Sequence, residues 1–347
     1  MPRSEIAVRH SAVQRGLKFI YDFACEPDCF REQGSGLLCC FQNIAATAKD
    51  PRLKRTALRF GREKARQWRA MWPSLPGKID VATIIDLILG SDAADWLGAP
   101  EPQMKTRLAE AAAGFSVKQF LDFDPVNEPP PDDVPEECDC GADNKRGRKR
   151  CTDCREPLTT VSRYRVWYYA LSHTYSCGCY GISLGAQPQD LLKWLPTLRP
   201  YPERENDPND DFFDCVFAIT HLVYVLNDYN TFRLSPRDLP QEFTFLKANI
   251  VEAVDARDVE MIGEIVDCLK AFGVSDVNPM IRAARDYLLS SQNKDGSWGD
   301  PEDDEYTRYH STWTGIDGLR DFDWQPRRHK SSRATRSEKA GQEIHVP

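Results

Sequence analysis

Four cysteines stand in two close pairs, Cys138-x-Cys140 and Cys151-x-x-Cys154, separated by ten residues. Four thiolates at that spacing can surround one ion tetrahedrally, and zinc is the usual occupant of a closed sulfur site. Lys145, Arg146, Arg148, Lys149 and Arg150 lie in the intervening loop, where positive charge lowers thiol pKa values and offsets a tetrathiolate. With every coordination position taken by protein, such a zinc is structural, because a short cysteine-rich segment buries little apolar surface and needs the metal to fold. The competing reading is a zinc knuckle that docks a protein partner.

The histidines suggest a second site. Three of the six are near the termini (His10, His329 and His345), whereas His173, His221 and His310 sit in apolar stretches. Two of these contexts repeat: His221-x-x-Tyr224-x-x-x-Asp228 and His310-x-x-Trp313-x-x-x-Asp317 share one spacing, and each follows an Asp-Pro-x-Asp-Asp run, at 207–211 and 300–304. On a helix, positions i, i+3 and i+7 share a face, and seven residues span about 10 Å, so one ion does not take both ends of a stripe. The expectation is one ligand per helix, from His173, His221 and His310, around zinc, iron or copper with an open position. Asp228 and Asp317 then lie deeper as acid, base or substrate-binding groups, with Tyr224 and Trp313 lining the cavity. A metal-free polar cavity and unrelated core histidines are the alternatives, and Cys177, Cys179 and His310 form a variant ligand set. Cys25, Cys29, Cys39 and Cys40 are assigned no metal; Cys215 and Cys268 read as core thiols.

These residues need helices to position them, and the patterning provides helices almost throughout. From Ser11 to about Phe123, and again from about Thr159 to Leu319, apolar residues recur every three or four positions among good helix formers. Asp50-Pro51 has the form of a cap followed by a first-turn proline and marks a break between two helices. The chain divides into a helical half over 1–121, a proline- and acid-rich exposed linker over 122–137, the four-cysteine segment over 138–158, a second helical half over 159–325, and a polar, disordered tail over 326–347.

Residues 282–298, RAARDYLLSSQNKDGSW, carry Tyr287-Leu288, Gln292, Gly296 and Trp298 in an order that resembles the glutamine-tryptophan repeat of terpenoid cyclases, found in related form in protein prenyltransferase β subunits. Gln292 can bond free backbone groups at a helix end, Gly296 permits a tight turn, and Trp298 supplies a flat surface that locks the turn. The resemblance implies an all-α fold, a paired-helix (α/α) toroid, in which this motif braces an outer turn. The Asp-x-Asp-Asp acid of the class II cyclases does not occur. Cys177-Gly178-Cys179-Tyr180 and Tyr309-His310 look like the zinc-binding elements of the prenyltransferases, with cysteine in place of the aspartate. Cys179-Tyr180-Gly181 also resembles a lanthionine-cyclase triplet, without that family's Cys-His-Gly partner.

The 347 residues are 41% hydrophobic, enough for a sizeable core, and the net charge of −8 argues against nucleic acid as a partner. No apolar run reaches the roughly 20 residues of a membrane span, and the amino terminus lacks a secretion signal's apolar core, so a cytoplasmic protein with reduced thiols is expected. The leading functional reading is a metal-assisted enzyme acting on a small apolar, aromatic or isoprenoid-like substrate in a central helical cavity. The alternative is a non-catalytic toroid that binds a ligand or protein and carries a structural zinc.

Overall fold

A computed structural model describes residues 3–132, 134, 135, 138, 140, 142, 144, 148, 150–158, 160–204 and 211–326. Most of the first Asp-Pro-x-Asp-Asp run, Lys145, Arg146 and Lys149 of the basic loop, and the tail from 327 lie outside these residues. The helices are α1 (Arg3–Phe23), α2 (Pro27–Thr47), α3 (Pro51–Met71), α4 (Val81–Trp96), α5 (Pro102–Ala112), α6 (Val117–Leu121) and α7 (Arg163–Cys179). Then follow α8 (Pro188–Leu192), α9 (Leu195–Leu198), α10 (Phe212–Leu226), α11 (Pro240–Ala256), α12 (Val259–Ala271), α13 (Pro279–Ser291) and α14 (Glu305–Leu319).

Helix starts are written locally in the sequence. Proline opens α2, α3 and α13, where its missing N–H has no intrahelical partner to lose. Asp50, Asp80, Asp258, Asn278 and Asp304 accept backbone N–H bonds at the amino ends of α3, α4, α12, α13 and α14. The expected break at Asp50-Pro51 is one of these caps.

By packing, the chain forms two compact units, one from Met1–Glu110 with Val223–Ala334, the other centred on Ala111–Leu222. In the first, α2 packs on α3 and α4, α11 on α12 and α13, α13 on α14, and α14 returns to α1. This is the all-α, paired-helix arrangement of the α/α-toroid kind. The alternate helices α12 and α14 run the same way, since Glu260, Gly263 and Lys270 of α12 meet His310, Thr314 and Gly318 of α14 in that order. Glycine permits their closeness: a Cβ at Gly263 would lie 2.4 Å from the Thr314 carbonyl oxygen.

The glutamine-tryptophan segment braces this unit. Trp298 is fully buried, and its indole Nε1–H donates to the Leu288 carbonyl at 2.7 Å, capping the end of α13. Gln292 Nε2–H bonds elsewhere, to Ala12 O in α1 at 2.9 Å and Gly296 O at 2.8 Å. The free carbonyl of the helix end is thus taken by the tryptophan, while the glutamine ties the turn to α1. Gly296 has φ +98°, and a Cβ there would stand 2.6 Å from Arg15 O, so the turn needs glycine twice over.

In the second unit, Trp167 Nε1–H donates to Leu191 O and the Tyr164 hydroxyl to Leu198 O, fixing α8 and α9 against α7. The proline- and acid-rich segment is packed rather than wholly exposed. Phe123, Pro125, Pro130 and Pro131 are buried, and Pro125 O accepts from the Trp194 indole at 2.8 Å. Such prolines present apolar rings and free carbonyls, which suits packing without regular structure. Val134–Pro135 (β1) and Thr160–Val161 (β2) pair antiparallel, with Val134 opposite Val161, and bracket the cysteine segment.

Candidate functional site

The sulfurs of Cys138, Cys140, Cys151 and Cys154 all lie within 4.8 Å of one another. Cys138 and Cys154 approach to 3.5 Å, as do Cys140 and Cys151. A disulfide would need about 2.05 Å. Four sulfurs each about 2.3 Å from one tetrahedral ion stand roughly 3.8 Å apart, so the cluster has the dimensions of a closed thiolate centre. Backbone N–H groups of Cys154 and Asp153 point at Cys151 and are leading causes that hold its thiol down at about 6. Backbone amides thus favour the thiolate at Cys151; at Cys138 the Cys140 amide pulls the same way, but hydrogen bonds with the other thiols push it up to about 12. The basic side chains expected to do this are only partly described: Arg150 donates to Arg155 O at 3.2 Å.

The three internal histidines have different surroundings. His173, on α7, sits against Tyr169 with ring centroids 5.6 Å apart, and burial pulls its pKa down to about 4. His221, on α10, turns Nδ1 back to the Phe217 carbonyl of its own helix at 2.9 Å and packs on Tyr168. His310, on α14, has Nδ1 3.0 Å from Glu260 Oε1 of α12. Glu264, one turn along α12, completes a group whose ligand atoms lie within 4.8 Å of one another. The neighbours that could share an ion with His310 are thus two glutamates. His173 and His221 belong to neither cluster.

The expected parallel between the two histidine stripes fails at its far end. α10 stops at Leu226, and Asp228, Tyr229 and Asn230 take positive φ values of 54°, 44° and 71°. Asp228 therefore lies in a left-handed turn, off the helical face that carries His221 and Tyr224. Asn227-Asp228-Tyr229-Asn230 is rich in residues that tolerate this backbone, and Asn230 N–H bonds the Asn227 side chain at 2.8 Å. Asp317, by contrast, continues the His310–Trp313 stripe on α14 and is clamped by the Arg320 guanidinium.

Between α12 and α14 the chemistry continues inward. Glu260, Glu264 and Asp267 follow i, i+4, i+7 spacing on α12 and share a face. Asp267 is fully buried, accepts from Asn230 Nδ2–H at 2.6 Å, and has its second oxygen without a donor. Burial, aided by the nearby Asp317 charge, pushes its pKa up to about 8. Burial also raises Asp317, against the opposing pull of Arg320. Lys270 donates to the Gly318 and Arg320 carbonyls, and burial brings its pKa down to about 8. At His310, burial acts to lower the pKa, but Glu260, Glu264 and Asp317 together hold it above the ordinary value. Tyr224 is faced by Glu264, Cys268, Asp267 and Asp317, and its phenol is pushed well above 10, chiefly by burial.

Glu260, Glu264, Asp267, Lys270 and Arg320 were not singled out from the sequence. The signal was present in α12, where three acids at helical spacing interrupt Met261, Ile262, Ile265 and Val266. The donor set fits a divalent ion: two carboxylates and an imidazole, all within 4.8 Å of one another, with His310 and Glu260 at the roughly 3 Å between adjacent ligands around an ion bound at about 2.1 Å. Among the described residues no helix is long and apolar enough to cross a membrane. No protein-family model, no curated protein and no solved structure matches the chain.

Proposed function

We propose that the protein is a metal-dependent enzyme whose divalent ion is held by Glu260, Glu264 and His310, with a structural zinc on Cys138, Cys140, Cys151 and Cys154. The observation that carries this reading is the convergence of two glutamates and a histidine from α12 and α14 at one end of a buried ionisable stripe. Burying such groups costs several kcal/mol each unless they are paired or used, so packing alone gives no reason to keep them. Three protein ligands leave coordination positions open, and an ion there supplies Lewis-acid chemistry or activates water.

The chain's own residues then divide the work. Glu260 and Glu264 provide negative charge at the mouth of the stripe, and Asp267 holds a proton at neutral pH. Asp317 is oriented by Arg320 for charge stabilisation. Tyr306 stacks on His310 with ring centroids 5.1 Å apart, and Trp313 meets it edge-on at 6.1 Å, which fixes the imidazole between two aromatic rings. This aromatic setting, with Tyr224 deeper, supports a small, largely apolar or aromatic substrate. The prenyltransferase-like Tyr309-His310 pair agrees with a ligand role for His310 and with an isoprenoid-like substrate.

Elemental analysis tests the reading. The full chain should bind two equivalents of divalent metal; Cys151→Ser should remove one and Glu264→Gln the other. Loaded with manganese at the second site, the protein should enhance water-proton relaxation, because an open ion exchanges water. A single equivalent insensitive to Glu264→Gln would instead favour the non-catalytic, zinc-stabilised binding protein.

A further inference from the structure

The outer face of α3 carries a concentration of charge that its surroundings do not match. One side of the helix, with Leu53, Ala57, Phe60, Ala65 and Trp68, is buried in the first unit. On the opposite side stand Arg52, Arg55, Arg59, Arg62 and Arg66, all exposed. Steps of three, four, three and four residues set the five within about 80° of arc, as a straight ridge roughly 21 Å long. The helix as a whole holds eight basic residues and one acid, Glu63, a net +7 in a chain of net charge −8.

Nearby carboxylates are engaged elsewhere or too few. Lys54 pairs with Asp323 and Arg69 with Asp95, both off the ridge. Glu63 accepts from the Tyr21 hydroxyl at 2.8 Å, and Asp50 caps the amino end of α3 through Arg52 N–H. Counting both against the five arginines still leaves the ridge at +3. Among the described residues none of the five forms an ion pair. Like charges one turn apart weaken a helix, whereas opposite charges at that spacing support it, so this pattern is unfavourable as plain solvated surface. Forked guanidiniums in a row instead match an array of phosphates.

Shape decides among polyanions. A nucleic-acid groove is about as wide as a helix and brings phosphates to both of its flanks, while the free charge of α3 is confined to one narrow ridge. A single strand needs aromatic platforms for its bases, and a stable protein interface needs an apolar core; five arginines provide neither. A straight ridge meets a plane along its whole length. We infer that α3 is a membrane-docking helix whose Arg52–Arg66 ridge lies flat on an anionic bilayer surface, the guanidiniums on the phosphates and carboxylates of lipid headgroups. Attraction of this kind reaches about one Debye length, roughly 8 Å at physiological salt, so acidic groups farther from the bilayer oppose it little.

The test is co-sedimentation of the full-length protein with vesicles of phosphatidylcholine alone or with roughly 30% phosphatidylserine. Binding to the anionic vesicles only, and its loss at about 0.5 M salt, are expected. Each ridge arginine removed should weaken partitioning about fivefold, so Arg55→Gln with Arg62→Gln should cost about 25-fold, and Arg55→Lys with Arg62→Lys almost nothing. Arg282→Gln with Lys294→Gln removes the same charge from exposed positions off the ridge and should leave binding unchanged. Equal binding to neutral vesicles, no binding to anionic ones, or equal losses from the two glutamine pairs overturns the proposal. So does displacement of the protein from the vesicles by a short DNA duplex at equal phosphate, or by deca-glutamate at equal charge, which would assign the ridge to nucleic acid or to an acidic protein segment. The readout needs neither metal nor turnover, so it stands or falls apart from the metal centre.

Discussion

Replacing Gly263 with alanine tests whether close contact between α12 and α14 builds the metal centre. The new Cβ would meet three atoms of Thr314: the carbonyl oxygen at 2.4 Å, the carbonyl carbon at 2.6 Å and Cβ at 2.9 Å. Two of these belong to helix backbone, so no rotamer change relieves them, and the helices must separate by most of an ångström to restore ordinary contact. Overpacking of this kind costs about 1–3 kcal/mol, occasionally more, and the backbone contact puts Gly263→Ala at the upper end. Alanine returns up to about 1 kcal/mol of helix propensity, leaving a net loss of roughly 2 kcal/mol. Gly178→Ala in α7 is the matched control, because nothing lies within 4 Å of its Cβ; it should stabilise by about 0.5–1 kcal/mol. Chemical denaturation of both variants reads the signs, and metal analysis reads the consequence, since Gly263 stands between Glu260 and Glu264 on the helix that faces His310. The reasoning fails if Gly263→Ala is as stabilising as Gly178→Ala, or if the destabilised variant keeps its full second equivalent of metal.

Three further outcomes are expected. Trp298→Ala should cost about 3–5 kcal/mol, by cavity formation plus loss of the 2.7 Å cap on Leu288 O, measured by thermal or denaturant unfolding. Cys151→Ser should abolish the intense charge-transfer absorption of a cobalt-substituted tetrathiolate while leaving helical circular dichroism nearly unchanged. Asp267 keeps its proton in the folded state up to about pH 8, whereas the unfolded chain releases it near pH 4, so its contribution to stability is fully present below about pH 4 and is lost as pH rises through 8. Asp267→Asn removes that titration, and the fall in stability between pH 5 and pH 8 should shrink by roughly 3 kcal/mol; an unchanged slope in denaturation at the two pH values would count against a buried neutral acid.

Much of the architecture was legible because it is encoded locally. Proline and Asx caps mark helix starts within two or three residues of sequence, and Gln292, Gly296 and Trp298 define a turn whose parts touch one another. The cysteine cluster was equally local. What escaped was encoded between helices. His310 gave no sign that its neighbours would be Glu260 and Glu264, fifty and forty-six residues earlier, because that depends on α12 and α14 running the same way with α13 between them. The repeat of His-aromatic-Asp spacing misled for a local reason: spacing was read as helical through Asp228, while Asn227 and Asn230 were already signalling a left-handed helix end. A spacing argument holds only as far as the helix does.

The glycine contact and the charged stripe are two aspects of one arrangement. Helices this close exclude water along their seam, so ionisable groups there must be satisfied within the protein. At the inner end Asp317 is met by Arg320, Lys270 by two carbonyls, and Asp267 by Asn230 at one oxygen, while burial keeps that acid neutral. At the outer end two glutamates and one imidazole converge, their ligand atoms within 4.8 Å of one another. A divalent ion held there stabilises the fold by an amount set only by its binding, about 2.7 kcal/mol at a hundredfold excess over Kd. Glu264→Gln removes one of the three ligands, so the variant should gain nothing from added manganese, whereas the wild type gains that amount. Melting temperatures of both proteins with and without manganese decide it: a variant that still responds to manganese as the wild type does would show that Glu264 is not held for an ion.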